Sequence, residues 1–233
     1  MKSGMENMSR EDLYKTQIRL EGVRFNDAGY LERWKDMPGG ESGPPARVVA
    51  VDYGQKQSVY FRSGIAPEAE VLVRGLPFQL LLDGDCEVFD ILNGQKKVEG
   101  HAQYWTYTVS DTTAIPRCPA AQTLSSRNGL LRGFSDGFFG IDYDQVFAVI
   151  ADGVVVSAAA SSREDETAAE LWVYTHPEHR QRGLGTQAAA AWLRRVTDRG
   201  LTPFYSHVKD NDSSRRLAES LPLRLCFVLS RYP

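Results

Sequence analysis

The residues best suited to chemistry in this sequence lie between Arg180 and Gly185, in the pattern Arg-x-x-Gly-x-Gly. Gly183 and Gly185 permit backbone conformations that other residues rarely adopt, and they let a ligand approach the main chain. If a helix begins here, its first N–H groups lack partners within the helix and carry the positive end of the helix dipole. Together with the charge of Arg180, this turn predicts an anion-binding site suited to phosphate.

Two regular elements must hold this turn in place. Residues 170–175 before it are rich in aromatic and β-branched side chains and predict a strand, which ends by Pro177 because proline has no N–H for a sheet hydrogen bond. After the turn, apolar residues recur at helical spacing and predict a helix from about Gly183 to Gly200. The helix face that we expect to be buried consists of Gly185, Ala189, Trp192, Leu193 and Val196.

The overall composition is that of a globular protein without a strong charge. Of 233 residues, 42% are hydrophobic, and the net charge of −3 predicts no basic surface for nucleic acid or an anionic membrane. The three cysteines form no CxxC pair, so we expect free thiols rather than disulfides or a metal site. The sequence has neither an apolar run of the ~20 residues that a membrane helix needs nor a hydrophobic N-terminal segment. These features predict a cytoplasmic protein without a bound metal.

The first half of the chain predicts a mixed α/β module without a catalytic motif. Ser9 followed by Asp12 has the spacing of a helix cap and predicts a short helix. The later elements, predicted from their apolar patterns, are strands at 47–53 and 58–62, a buried strand and then a short helix within 71–82, a short apolar element at 88–92, and a strand at 102–109.

The second half predicts an α+β domain. We place a domain boundary between residues 112 and 113, close to a proline-containing connection, which gives an N-terminal module (1–112) and a C-terminal domain (113–233). A helix is predicted at 125–135. From residue 145 the predicted element order is β-β-β-α-β-α-β, a mixed sheet whose third strand leads into the basic turn. These elements are strands at 146–151, 154–161, 170–175, 204–208 and 224–230, and helices at 183–200 and 213–221.

The stretch VYTHPEHRQRGLGTQA, which contains this turn, resembles the acetyl-CoA-binding core of the GNAT superfamily of N-acetyltransferases. In that family a strand runs into V-x-P-x-x-R/Q-x-x-G-x-G/A and then a helix. Thr175 stands where the family usually has valine, and Pro177, Arg180, Gly183 and Gly185 follow in register. The predicted order of elements also matches the family, so the resemblance covers about residues 120–233. It implies a GNAT-like fold and acetyl-CoA as the bound co-substrate.

The resemblance assigns cofactor-binding roles to the strand and the turn. The backbone of Val173 and Thr175 is expected to pair with the pantetheine arm. Asn211 and Ser214 resemble the N-x-x-A/S at the start of the family's next helix and are expected near that arm, with capping of the helix as the alternative. The residues expected to hold the pyrophosphate, through backbone N–H groups and arginine charge, are Arg180, Gln181, Arg182, Gly183, Leu184, Gly185 and Thr186.

The catalytic groups are less well defined by the sequence. Acetyl transfer to an amine requires a base for the amine proton and a donor for the leaving thiolate. Some family members carry a carboxylate base on the strand before the turn, so Glu170 is expected to be the base or the anchor of the substrate amine, with a structural carboxylate as the alternative. Many members have a tyrosine seven residues after the asparagine, where this chain has Ala218. Tyr205, Ser206, His207 or water are the alternative donors.

The resemblance implies acetyl-CoA-dependent N-acetylation of a small-molecule or peptide amine by direct transfer in a ternary complex. A CoA-binding sensor or interaction module with weak catalysis is the alternative that Ala218 favours. A site for another phosphate ligand, such as a nucleotide, is disfavoured because no lysine follows the glycines as in a P-loop. Acetyl-CoA and an amine are the expected partners, without nucleic acid or membrane. A homodimer, the acceptor's identity and the role of residues 1–110 stay open.

Overall fold

The computed structural model describes residues 8–35, 44–93, 101–125, 127–134 and 145–233. The helices in this part of the chain are α1 (Arg10–Leu20), α2 (Pro67–Gly75), α3 (Phe78–Asp83), α4 (Cys86–Asn93), α5 (Leu184–Asp198) and α6 (Asp212–Glu219). The strands are β1 (Val23–Phe25), β2 (Leu31–Arg33), β3 (Val48–Asp52), β4 (Gln57–Phe61), β5 (Ala102–Val109), β6 (Ala121–Leu124), β7 (Val146–Ala151), β8 (Val154–Glu164), β9 (Ala168–Thr175), β10 (Thr202–Val208) and β11 (Leu223–Tyr232). Among the described residues, none of the helices combines the length and apolar character needed to cross a membrane.

The described residues form two compact units that are not consecutive along the chain. The first unit comprises residues 107–205 and 212–224, and the second comprises the described residues up to 106 together with 206–211 and 225–233. Strands β5, β10 and β11 therefore contribute residues to both units. The domain boundary at 112/113 stays a prediction, since the compact units divide the chain differently.

The first unit is a mixed sheet with both faces covered. Its strand order is β10-β9-β8-β7-β6, in which β9 and β10 are parallel and the other neighbours are antiparallel. Side chains alternate along β9, so Leu171 and Val173 pack in the core with α5, whereas Trp172 and Tyr174 pack on the opposite face. Three consecutive buried alanines, residues 188–190, bring α5 close to the sheet.

The second unit combines an antiparallel sheet with four helices. Its strands β4, β3 and β11 are adjacent in that order, and β1 pairs with β2 in a separate ladder. The buried core includes Phe61, Val73, Leu81, Val88 and Tyr232. The Tyr232 hydroxyl donates a hydrogen bond to the carbonyl of Leu81 at 2.5 Å, so this buried polar group is satisfied.

Most of the predicted elements are confirmed by the structure. Ser9 caps α1, and its Oγ accepts a hydrogen bond from the N–H of Asp12 at 3.1 Å. From residue 145 onward the element order is β-β-β-α-β-α-β, as predicted. Asp152 and Gly153, with φ values of 51° and 78°, form the tight turn between β7 and β8.

Two segments differ from the prediction. The strand predicted within residues 71–82 is absent, because these residues lie in α2, α3 and the two-residue connection between them, whereas the predicted short helix is present as α3. Pro67 is compatible with a helix start, and an amphipathic helix can bury Val73 while leaving Val71 and Leu72 exposed at 69% and 57%. The helix predicted at 125–135 is wrong as well. Its described residues contain a three-residue 3-10 helix at Gly129–Leu131, whereas Ser126 and Ser135 lie outside the described residues.

Candidate functional site

Strand β9 pairs with β8 along most of its length on one side. On its other side it pairs with β10 at only three positions. It pairs with β8 from Ala169 to Thr175. Its parallel pairing with β10 joins Ala168, Ala169 and Glu170 to residues 202–204. An extended ligand can use the edge of a strand through main-chain hydrogen bonds. The last five residues of β9 are therefore the part of this strand best placed to pair with a ligand arm.

The turn between β9 and α5 presents a run of backbone N–H donors. A short 3-10 helix, Pro177–His179, ends where the N–H of Arg180 donates to the carbonyl of Pro177 at 3.3 Å. The next main-chain bond is from the N–H of Gln187 to the carbonyl of Gly183 at 3.1 Å. The six N–H groups between them, from Gln181 to Thr186, have no main-chain acceptor among the described residues. They surround the positive end of the α5 dipole, which favours a bound anion.

The backbone conformation of this turn explains the glycine at position 183. Gly183 has φ 71° and is the N-cap of α5, and a Cβ added there would meet no described atom within 4 Å. This position is compatible with a ligand that approaches the main chain, and the binding role of Gly183 stays a prediction. Gln181 also has a positive φ of 62°, which is unusual for a residue with a side chain. Such strain often marks a functional turn.

Gly185 has a packing role in the fold in addition to the binding role predicted from the sequence. A Cβ at this position would lie 3.1 Å from Oγ1 of Thr175, 3.9 Å from Cγ2 of Val173 and 4.0 Å from Cδ1 of Leu217. The missing side chain therefore lets α5 pack closely against β9 and α6. The need for space around phosphate stays a prediction at this residue, and its N–H belongs to the run of donors.

We expect Gly185→Ala to lower the free energy of unfolding by about 1 kcal/mol, because overpacking of about 1–3 kcal/mol exceeds the gain in helix propensity. The Thr175 hydroxyl cannot move freely, since its Oγ1 is hydrogen bonded to Oγ of Ser157 at 2.8 Å. Thr175→Ala removes the crowded atom. Denaturant unfolding of both single variants and the double variant should give a favourable coupling of at least about 0.5 kcal/mol. Strictly additive effects would contradict this packing role.

The charged and polar side chains of the turn are partly tied to the fold. Nε of Arg180 donates to the carbonyl of Thr175 at 3.1 Å, which holds this exposed arginine over the end of β9. Oγ1 of Thr186 is 2.8 Å from Oγ of Ser220, so the start of α5 is linked to the residue that follows α6. Arg182 is exposed. The turn thus combines neutral N–H donors with two arginines at its surface.

Glu170 is buried and ion paired. Its side chain lies on the same face of β9 as Trp172 and Tyr174, opposite to α5, and the residue is only 7% exposed. Oε2 accepts a hydrogen bond from Nη1 of Arg163 at 3.0 Å. Arg163 lies opposite Glu170 where the register of β8 shifts, between Ser161 and Arg163. Bulges of this kind redirect side chains beside active sites, so the arrangement suits a positioned carboxylate.

Tyr205 and Ser214 are hydrogen bonded to each other in the first unit. Tyr205 follows Phe204, the last residue of β10 that pairs with β9, and it is 4% exposed. Burial raises the pKa of Tyr205 to about 12, although the hydrogen bond from Ser214 acts in the opposite direction. The hydroxyl is therefore protonated at neutral pH and can donate a proton.

Comparison with known families identifies the region that contains this site. Residues 134–227 match the model of a family described as GNAT acetyltransferase. These residues form a GNAT acetyltransferase domain. The mixed sheet and the β-β-β-α-β-α-β order agree with the GNAT fold that the sequence predicted. No curated protein matches the chain in sequence.

Several solved structures are similar to parts of the chain. A putative GNAT acetyltransferase from Novosphingobium aromaticivorans is 23% identical, with 58% of this chain and 65% of that protein covered and a TM-score of 0.47. A GNAT acetyltransferase from Colwellia psychrerythraea is 12% identical over 91% of this chain and 80% of that protein, with a TM-score of 0.46. The aminoglycoside N-acetyltransferase AAC(6')-Iy, in complex with CoA, is 23% identical over 43% of this chain and 87% of that protein, with a TM-score of 0.33.

Within the GNAT domain, the position expected for a donor tyrosine is part of the core. Ala218 is 2% exposed and packs with the cluster that contains Leu221. Of the alternative donors, Ser206 and His207 belong to the second unit. Oγ of Ser206 lies 3.0 Å from Nε2 of Gln17. Tyr205 is the alternative that lies in the same unit as the turn.

The two residues predicted around the start of α6 have different places in the structure. Asn211 directly precedes the first residue of α6, where a cap is expected, and its N–H donates to the carbonyl of Val208 at 3.0 Å. It belongs to the second unit, whereas Ser214 belongs to the first. Ser214 lies within α6 and contacts Tyr205, so it is not the cap. The cofactor roles of both residues stay predictions.

Sequence reasoning missed Arg163 and the link between Tyr205 and Ser214. Arg163 lies beyond the end of the strand predicted at 154–161, whereas β8 continues to Glu164. Its position opposite Glu170 depends on the register shift in β8, which residue types do not reveal. Tyr205 and Ser214 are each candidates from the sequence, but residue types alone do not show that their side chains meet.

Proposed function

We propose that this protein transfers the acetyl group of acetyl-CoA to the nitrogen of a small-molecule or peptide amine, in a ternary complex. One observation carries the proposal: six consecutive N–H groups, from Gln181 to Thr186, have no main-chain acceptor among the described residues and lie at the start of α5. Such donors match a pyrophosphate, which can accept several hydrogen bonds at one place. The family match to residues 134–227 supports the same co-substrate.

The chain's own groups fit the two polar parts of acetyl-CoA. The N–H run and the exposed arginines, Arg180 and Arg182, suit the pyrophosphate. The backbone of β9 beyond Glu170, including Val173 and Thr175, suits the pantetheine arm, because pairing with β10 covers only residues 168–170. When bound, acetyl-CoA supplies an activated acetyl thioester.

Proton transfer is assigned to two residues. Glu170 accepts the proton that the amine loses as its nitrogen bonds to the acetyl carbon, directly or through a water molecule. Tyr205 donates a proton to the sulfur as the carbon–sulfur bond breaks, and Ser214 holds its hydroxyl. The proton gained by Glu170 and the proton lost by Tyr205 balance, and exchange with solvent restores both groups. In this assignment Tyr205 of β10 takes the role of proton donor that many family members give to a tyrosine at the position of Ala218.

Calorimetry with acetyl-CoA and an assay of thiol release across a panel of amines test the proposal. We expect acetyl-CoA to bind, ATP not to compete with it, and at least one amine to release free CoA in step with its own acetylation. No covalent acetyl-enzyme should form, because the amine attacks the thioester directly. Absence of acetyl-CoA binding, or displacement by ATP at equal concentration, would contradict the proposal.

A catalytically weak CoA-binding module is the second candidate. It is favoured by the buried Ala218 at the position where the family usually has tyrosine and by the ion pair that engages Glu170. Binding of acetyl-CoA without thiol release for any amine would support this candidate. The cytoplasmic location that we propose rests on composition alone.

Replacing Glu170 with glutamine is expected to lower kcat about 100-fold or more, because the amide keeps the shape of the side chain but cannot accept the proton. The same change weakens the contact with Arg163 and should cost about 1.5–3 kcal/mol of stability at most, the range for hydrogen bonds to charged groups. Steady-state kinetics and thermal unfolding measure the two effects separately.

Arg163→Gln is the matched control for Glu170→Gln. It removes the cation but leaves the carboxylate in place, so stability should fall at least as much as in Glu170→Gln, because a buried carboxylate loses its partner, while kcat falls no more than about tenfold. If both variants lose stability and rate to the same extent, Glu170 is a structural carboxylate and its assignment as the base is wrong.

A further inference from the structure

The second unit contains a concave site, and its lining residues are distant in sequence from the turn between β9 and α5. The described residues line an open cavity of about 330 Å³, within the range of small-molecule sites. Its lining comes from α1, the β1–β2 ladder, β3, β5 and β11 of the second unit. Ile18, Val23, Leu31 and Val49 supply apolar walls. The GNAT chemistry described above uses none of these side chains.

The charged side chains that line this cavity are mostly arginines. Arg33, Arg62 and Arg231 contribute three positive charges, whereas Glu21 contributes the single carboxylate side chain among the lining residues. Nη2 of Arg231 is 2.5 Å from Oε1 of Glu21, and Nη1 of Arg33 donates to the main-chain carbonyl of Glu21 at 2.9 Å. One ion pair therefore offsets part of the arginine charge, and arginines outnumber the carboxylate side chains among the described lining residues.

Two of the lining arginines contact neutral groups of the fold. The guanidinium of Arg231 lies 5.2 Å from the ring centre of Tyr104, which stabilises the cation on one side. Nη1 of Arg62 donates to the carbonyl of Pro45 at 3.3 Å, a contact with a neutral group. Burial lowers the pKa of the adjacent Arg47, and repulsion by Arg62 lowers it further. Like charges are thus held close together in this unit, and a bound anion would reduce their repulsion.

We propose that this cavity binds a small carboxylic acid with an apolar body. A guanidinium presents paired N–H donors that match the two oxygens of a carboxylate. The aliphatic side chains can cover a hydrocarbon or aromatic body, the cavity is large enough for a small molecule, and its other lining side chains are uncharged. Inorganic phosphate shares the charge but has no apolar body to bury.

Calorimetry on the full-length chain, with acetyl-CoA present at saturation, tests this site with benzoate as the probe. We expect one benzoate site, at least tenfold weaker binding of uncharged benzamide, and weaker binding of inorganic phosphate. Arg62→Gln and Arg33→Gln should each lower the affinity for benzoate at least tenfold. Arg231 is left intact, because its loss would leave the buried carboxylate of Glu21 without its cation.

Arg24→Gln is the matched control, since Arg24 lies on β1 of the same unit but is exposed and pairs with Glu32 at 2.8 Å. This variant should bind benzoate as the unmodified protein does. Equal binding of benzamide and benzoate, tighter binding of phosphate, or unchanged benzoate affinity in both arginine variants would overturn the proposal. Acetyl-CoA binding should be unchanged in all three arginine variants, so the outcome is independent of the proposed transferase activity.

Discussion

Gly183→Asp is expected to lower the affinity for acetyl-CoA about 100-fold, a loss of about 2.7 kcal/mol. Two effects act together at this residue. Its φ of 71° lies in the left-handed region, where a side chain costs roughly 1–2 kcal/mol. The added carboxylate would also lie in the run of N–H donors, where it repels a pyrophosphate and can itself accept the hydrogen bonds of the turn. Calorimetry with acetyl-CoA measures the loss directly.

Gly153→Asp is the control that separates the effect of backbone strain from the effect of a carboxylate in the turn. Gly153 has a similar φ of 78°, and a Cβ there also meets no described atom within 4 Å, but it lies in the turn between β7 and β8. We expect this variant to lose a similar amount of stability and to keep its affinity for acetyl-CoA. Gly183→Ala should fall between Gly183→Asp and the unmodified protein, because it introduces strain without charge. If Gly183→Asp binds acetyl-CoA normally, the turn is not the pyrophosphate site.

Tyr205→Phe is expected to lower kcat about 100-fold or more while the dissociation constant for acetyl-CoA stays within about threefold. The ring remains buried, so the variant removes the hydroxyl and its bond to Ser214 but little packing. Loss of a general acid typically costs about 10²–10⁴-fold in rate. Because the pKa of Tyr205 is raised to about 12, the hydroxyl stays protonated well above neutral pH. The unmodified enzyme should therefore show no alkaline loss of kcat from this group below about pH 11.

Tyr53→Phe provides the matched control for Tyr205→Phe. Tyr53 is also 4% exposed, and its hydroxyl is 3.0 Å from that of Tyr60, so this variant likewise removes one buried tyrosine hydroxyl. It lies in the second unit and should leave kcat unchanged. Ser214→Ala should lower kcat less than Tyr205→Phe, because the donor remains but is held less firmly. A normal kcat in Tyr205→Phe would assign the proton to water or to another group.

Glu170 and Gly185 are both candidate site residues from the sequence, and the structure gives each of them a structural contact as well. Glu170 is a candidate base from its place on β9, and the structure adds an ion pair with Arg163 that restrains the carboxylate. Gly185 is part of the binding motif, and the structure shows a packing requirement against Thr175. Variants at either position therefore need a stability measurement beside the functional one, since both effects follow from one substitution.

The sequence by itself determined the features that depend on neighbouring residues. The Ser9 cap, the turn at Asp152 and Gly153, and the strand–turn–helix around Gly183 each follow from side chains or backbone preferences within a few positions. The order of elements from residue 145 follows from periodic apolar patterns, which are also local. The same reasoning failed at residues 71–82, because a short apolar run fits a strand or a helix equally well until its packing partners are known.

Only the tertiary structure decided which distant residues meet. A register shift in β8 places Arg163 opposite Glu170, and the packing of α6 brings Ser214 to Tyr205. The three arginines that line the second cavity come from β2, from the residue after β4 and from β11, so their common place in its lining cannot be inferred from spacing. Strand pairing and helix packing depend on contacts between residues far apart in the chain. A shift of one residue in strand register turns every side chain of that strand to the opposite face, and the local sequence does not indicate which register forms.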